Sequence, residues 1–198
     1  MTEQTGRRER KKAATRQKIA DTALRLFLER GYEAVGIRDV AAEADVAVTT
    51  LFSHFASKEA LVFEQDRGFE QGLLRAVSDR APDEPLIPSL RREIHALVRH
   101  CTAPEAAPVW SMIESSPALR EYEESMRLRH AESLAAAVAA DLGIPETSIA
   151  SRTIARFVID AYALAREAAD PEAAVDEVFR MIEAAWGAAH IDRPGRRT

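Results

Sequence analysis

Seven consecutive residues, Val48-Thr49-Thr50-Leu51-Phe52-Ser53-His54, carry the most distinctive chemistry in this chain. As a helix, the segment puts Leu51 and the following Phe55 on an inward face. Val48, Thr49, Phe52, Ser53 and His54 are then left outside. That outer face lacks the Lys/Glu pairs that usually cover a solvated helix. It offers hydroxyls, an imidazole and apolar contacts, which suit phosphate oxygens and base edges. The same residues also fit a minor core helix with Val48 and Phe52 buried under later segments, and the segment alone leaves both open. Upstream lies a dense basic run, Arg7, Arg8, Arg10, Lys11 and Lys12, broken by Glu9. Such a run can lie along phosphates or enter a minor groove, with Arg10 and Lys12 as candidate contacts. The bland alternative is a solubilising tail.

Charge is distributed in the same sense. Residues 1–58 hold 11 Lys/Arg against 8 Asp/Glu, a net of +3, and residues 59–198 hold 16 against 24, a net of −8. A basic head on an acidic body fits a polyanionic partner, because Lys and Arg displace phosphate counterions. An uneven solvated surface would read the same. With 46% hydrophobic and 30% charged residues, the 198-residue composition is that of an ordinary globular protein. No apolar run approaches the roughly 20 residues of a membrane span, and the basic N-terminus lacks a signal-peptide core. Cys101 is the single cysteine, so no internal disulfide forms, and a reducing cytoplasm is the expected location.

The elements that must position these residues follow from periodicity. Residues 1–13 lack apolar spacing and are expected as a disordered arm. A first helix fits 14–30, with Ile19, Ala23, Leu26 and Phe27 on one face and Gly31 as its stop. A second fits 37 to about 44, started by Gly36, with Asp39 in its first turn and Val40, Ala41 and Ala44 buried. Asp45-Val46 breaks it, since Asp tolerates a left-handed turn. The recognition segment is 48–54. Ser57 caps a fourth helix from 58 to about 80, on which Gly68 and Gly72 allow a close helix approach. Pro82, Pro85 and Pro88 mark a linker. Further helices fit 89 to about 101, 109–115, 117 to about 142, a segment opened by Pro145 and running to about 169, and 171 to about 189 behind the Asp170-Pro171 start. Residues 192–198 form a polar tail. No strand or internal repeat is evident. The expected fold is all-α with about nine helices, divided into 1–13, a helix-turn-helix domain at 14–57, a larger helical domain at 58–191, to which the resemblance described next assigns effector binding and dimerisation, and the tail.

Residues 15–61 resemble the N-terminal domain of the TetR family of transcriptional regulators. The resemblance rests on the first helix ending Arg30-Gly31-Tyr32, on Ile37-Arg38-Asp39-Val40-Ala41, on Thr50-Leu51-Phe52-Ser53-His54-Phe55, and on Ser57-Lys58-Glu59. It implies backbone contacts from Thr50, Phe52 and Lys58, and base or near-base contacts from Arg38, Val48, Thr49 and His54. Four departures predict weaker phosphate anchoring. Gly36 stands for a usual Ser/Thr, Asp45 for the turn Gly, Phe52 for a Tyr whose hydroxyl would reach phosphate, and Ala47 for a Ser cap worth about 1 kcal/mol. The basic arm is placed to compensate. An all-α interaction module that has lost DNA binding is the reading these departures feed.

In the second part, His95, Trp110, Met112, Ile113, Tyr122, Met126, Phe157 and Tyr162 are candidate lining groups. Their mix of rings, thioethers and a few polar tips suits a largely apolar small-molecule site, and each also suits plain core packing. The wording Trp110-Ser111-Met112-Ile113-Glu114 and Pro117-Ala118-Leu119-Arg120 resembles a branch of these regulators that answers to lipophilic or acyl ligands. The last two helices are rich in small and apolar residues. Phe157, Ala161, Leu164, Ala165, Val178, Phe179, Ile182 and Trp186 are expected to pair with a second copy, as the resemblance implies, or else to fill the subunit's own core. A two-fold dimer sets two recognition helices about 34–36 Å apart and requires a palindromic double-stranded DNA operator. No Gly-rich phosphate loop, nucleophile elbow or metal-spaced cluster is present, so neither enzyme chemistry nor a cofactor is expected. His95, His100, Cys101 and His130 do not share one helix face as metal ligands would.

Overall fold

The computed structural model describes residues 2–81 and 83–191, with side-chain positions for all of these except 2–6, 65–67 and 188–191. The expected polar tail lies outside the described residues. Among them are ten α-helices, two short 3-10 segments and no strand. The chain forms two compact units. The first runs to Arg67 and takes in Pro108–Tyr122; the second holds Gly68–Ala107 and continues from Glu123.

In the first unit, helix α1 spans Thr2–Arg30. The expectation of a disordered arm is corrected here, because the helix continues through the basic run, whose side chains from Arg7 to Ala14 are exposed. Arg, Lys, Glu and Ala are good helix formers, and extending an existing helix avoids the cost of nucleation. Gly31 stops α1 at φ +88°, a backbone state natural to glycine. Helices α2 (Ile37–Glu43) and α3 (Val48–His54) follow. The corner between them is a Schellman turn. Val46 N–H donates to Ala41 O at 2.9 Å and Asp45 N–H to Ala42 O at 3.1 Å. Asp45 takes the left-handed position, at φ 53°.

The fourth helix is not continuous as expected. α4 (Glu59–Val62) gives way to a 3-10 turn (Phe63–Asp66), and α5 (Arg67–Ser78) begins afresh. Ser57 does cap α4, its Oγ accepting from Ala60 N–H at 3.3 Å. The turn is held within the first unit by Phe63, stacked on Tyr122 at 5.4 Å, and by Glu64, paired with Arg16. The core here is Ile19, Ala23, Leu26, Phe27, Val40, Leu51, Phe55 and Leu61, joined by Ile113 of α7 (Ala107–Ser115) and Leu119 at the start of α8 (Pro117–Leu142).

In the second unit, α6 (Leu86–Cys101) starts earlier than the proline signal suggests. Pro88 sits in its first turn, where a missing N–H costs nothing. Fully buried Ser89 donates to Ala76 O at 2.8 Å and ties α6 to α5. Of the two glycines expected to admit a close neighbour, Gly72 faces the Glu93 carboxylate of α6, whereas Gly68 faces open space. Pro145 opens a turn rather than a helix, and α9 runs Ile149–Glu167. Asp170 caps α10 (Pro171–Ile191), accepting from Ala173 N–H at 3.0 Å.

Helix α10 packs on α9 and α6. That packing corrects half of the expected pairing face. Ala161, Ala165, Phe179 and Ile182 are sealed inside the unit, at most 1% exposed, and have no surface to give a partner. Phe157 and Leu164 point outward at 45% and 55% exposure, joined by Met181 at 59%, while Val178 and Trp186 are half-buried. The 3.6-residue period makes one helix serve both faces.

A ring cluster closes the other side of the second unit. Phe69 stacks on His130 at 5.3 Å and meets Tyr162 edge-on at 4.7 Å. Burial holds His130 below its ordinary range; Glu70 opposes this and Arg129 adds to it. No helix among the described residues is long and apolar enough to cross a membrane.

Two outcomes are expected. Asp45→Ala should lower stability by about 1 kcal/mol, because an alanine Cβ resists the left-handed state, while Asp45→Gly should not. Chemical denaturation of the two variants decides it, and a glycine variant weaker than the alanine one would contradict the account. The lowered His130 value means that the unfolded chain takes up a proton before the folded one. This stabilisation is complete above the unfolded value near 6.5 and is lost as pH falls towards the folded value. Denaturation at about pH 7.5 and about pH 5.5 should show weakening in acid, and His130→Phe should flatten that change.

Candidate nucleic-acid interface

The recognition segment is built as an outward-facing helix on a sealed base. Leu51 is 0% and Phe55 1% exposed, so α3 is fixed by these two residues. On its other side Thr49, Phe52 and Ser53 are exposed, Phe52 by 52%. Val48, Thr50 and His54 are half-buried. Phe52 is therefore not buried under later residues, as the alternative reading required, whereas Val48 is partly covered. Ser53 Oγ donates back to Thr50 O at 2.7 Å, leaving its lone pairs for an incoming donor. His54 Nδ1 is enclosed without a hydrogen-bond partner, so a contact from this imidazole would run through Nε2.

The departures at the helix starts have local consequences. Ala47 caps α3 with no side-chain hydrogen bond, leaving its first N–H groups open. Gly36 brings no hydroxyl to α2, but Asp39 Oδ2 accepts from Gly36 N–H at 2.8 Å and supplies half of a capping box. Arg38 is exposed and has no ion-pair or hydrogen-bond partner among the described residues. Arg10 and Lys12 are exposed on the outer reach of α1.

Lys58 is more occupied than the sequence suggests. Its Nζ donates to Tyr32 O at 2.6 Å and lies 4.0 Å from the Tyr32 ring centroid. Tyr32 OH donates to Glu59 Oε1 at 2.9 Å. Burial opposes ionisation of Glu59, but hydrogen bonds from Ser57, its own backbone and Tyr32 outweigh it and hold the carboxyl below its ordinary range. Lys58 thus braces the turn after α1 and keeps only its remaining protons for phosphate.

Sequence reasoning missed Arg16. Its Nε donates to Glu64 Oε1 at 2.5 Å and its Nη2 to Glu64 Oε2, a bidentate pair. Its Nη1 donates to His54 O at the end of α3, and the guanidinium lies 4.2 Å from the Phe55 ring centroid. A lone Arg near the start of a helical pattern gives no sign of such partners, since they lie 38 and 48 residues away.

The candidate lining groups divide. Trp110, Met112, Ile113 and Tyr122 belong to the first unit, with Ile113 buried and Met112 in a cleft of about 580 Å³ beside Phe27, Tyr32 and Ser116. Met126 and Tyr162 are buried in the second unit. Phe157 faces outward. His95 lies in a polar groove with Arg91, Arg99 and Glu172, and its Nε2 is 2.7 Å from Asp176 Oδ1. Among the described residues, no three His, Cys, Asp or Glu side chains come together as a metal cage.

The profile of the bacterial regulatory proteins of the TetR family matches residues 19–64, the stretch that builds this site. The chain is 37% identical to the transcriptional regulator TcmR of Streptomyces glaucescens over 82 residues, 41% of this chain and 36% of that one. It thus spans little more than a third of that relative's length. Similarity to MftR of Mycobacterium tuberculosis (strain ATCC 25618 / H37Rv), a transcriptional regulator named for mycofactocin biosynthesis, is 30% over 154 residues, covering 74% of this chain and 75% of the relative. The crystal structure of the TetR-family repressor AlkX from Dietzia sp. strain DQ12-45-1b superposes with TM-score 0.61 at 20% identity, over 86% of this chain and 97% of that one, and shares the fold. The outward-facing α3 packed against α1 and α2, the profile match across it, and a relative matched over three quarters of its length together place this chain in the TetR family of transcriptional regulators.

Proposed function

We propose that this chain is a repressor that binds a palindromic operator as a homodimer and is released by a small apolar or amphipathic ligand. The observation that carries it is the exposed side of α3, where Thr49, Phe52 and Ser53 stand free above buried Leu51 and Phe55. Val48, Thr49, His54 and Arg38 read base edges, Thr50, Phe52, Ser53 and Lys58 hold phosphate or sugar, and Arg10 and Lys12 on the extended α1 add counter-charge. Phe52 lacks a hydroxyl, so its contact is apolar.

The homodimer forms on the outward face of α9 and α10. Phe157, Leu164 and Met181 are large apolar groups left in water, and Val178 and Trp186 are half-buried on α10. The effector meets the second unit near Met126 and Tyr162, whose thioether and ring suit a largely apolar ligand. Occupancy changes the spread of the two readers, and it shifts operator binding only by the ligand's differential affinity for the two spreads.

Selection of bound DNA from a random pool tests this. The expected product is a palindrome whose half-sites lie about 34–36 Å apart centre to centre, or a multiple of that. Repeating the selection with extracted cellular metabolites should release the DNA. Leu164→Glu should convert the dimer to monomers in sedimentation and abolish binding across both half-sites. A pool that yields no enriched sequence, or a Leu164→Glu protein that stays dimeric on the operator, would overturn the reading.

A further inference from the structure

We propose that Arg16 is a positioning residue of the reader, one that sets the sequence discrimination of α3 without touching DNA. This rests on the reading of α3 as the recognition helix. Three independent contacts converge on one guanidinium. Nη1 donates to His54 O, an orphan carbonyl in the last turn of α3, where a cation also opposes the negative end of the helix. The plane lies 4.2 Å from the ring centroid of Phe55, which is buried immediately after α3. The remaining edge holds both oxygens of Glu64 in the 3-10 turn. Side-chain exposure is 23% for Arg16 and 10% for Glu64, so water does not dilute the pair as it would on an open surface.

The consequence is geometric. The helix is anchored inward by Leu51 and Phe55, and its N-terminal cap at Ala47 gives no side-chain bond. Burial of Leu51 and Phe55 sets which side of α3 faces inward, and Arg16 adds a side-chain restraint on its rotation at the C-terminal end, where the N-terminal cap supplies none. A small rotation moves Thr49, Phe52 and Ser53 relative to any base edge. Only a planar fork that is also flat enough to stack can satisfy all three contacts, so lysine is no substitute.

Arg16→Ala, Arg16→Lys and Glu64→Gln are tested in the full-length chain. Affinity is measured for the selected operator and for versions with single base-pair changes, each over a range of salt. Wild type should discriminate by about 5- to 150-fold per changed base pair. Arg16→Ala and Arg16→Lys should both cut that ratio by about tenfold while leaving the salt slope unchanged, because no phosphate contact is lost. Glu64→Gln should fall between, since it keeps the shape and one acceptor. A merely structural role would lower the active fraction and the melting temperature but leave the ratio intact, and that result would overturn the proposal. So would a salt slope reduced by about one with discrimination preserved, which would make Arg16 itself a phosphate contact. If Arg16→Ala does not fold, Glu64→Gln decides by the same outcomes. Wild type that discriminates nothing would instead overturn the operator reading, and this inference with it.

Discussion

A seven-residue helix does not persist in water by itself, because nucleation costs more than its few hydrogen bonds return. Everything in the first unit answers that constraint on α3. Leu51 and Phe55 anchor it from below. The Schellman turn at Asp45 sets its entry, and Arg16 holds its last carbonyl. The surface that would read DNA contributes little to that anchoring, with Thr49, Phe52 and Ser53 exposed.

The departures from the family pattern are partly absorbed by this arrangement. Asp39 takes over part of the capping that Gly36 lacks. Asp45 adopts the left-handed state that glycine would take more cheaply. Among the described residues of the first unit, no side chain replaces the Ala47 cap or the missing hydroxyl at Phe52. The basic run instead carries its charge forward on a helix, a geometry different from that of an extended arm. Lys58 shows the opposite economy, since one ammonium braces Tyr32 and still retains protons for a phosphate.

The second unit divides the work of α9 and α10 by helical period. Ala161, Ala165, Phe179 and Ile182 close the unit's own core, and Phe157, Leu164 and Met181 remain in water on the other side. Only the outward residues keep surface available for the proposed pairing, since the sealed ones are already covered by their own unit. The Phe69, His130 and Tyr162 cluster keeps a titratable ring inside an apolar setting.

The residue order alone determined the all-α class, the end of the first helix, both ends of the second and third to within a residue or two, the left-handed Asp45 turn and the inward roles of Leu51 and Phe55. These are local properties, carried by a 3.6-residue period, a stop glycine and short-range caps. It misplaced what depends on distance. The run before residue 14 reads as disordered because polarity is visible and helix propagation is not. The break at Phe63–Asp66 is invisible because its causes, Arg16 and Tyr122, lie far along the chain. Which of two apolar faces is sealed, and which arginine grips the end of α3, were decided only by packing, because a side chain's partners are fixed when the helices meet.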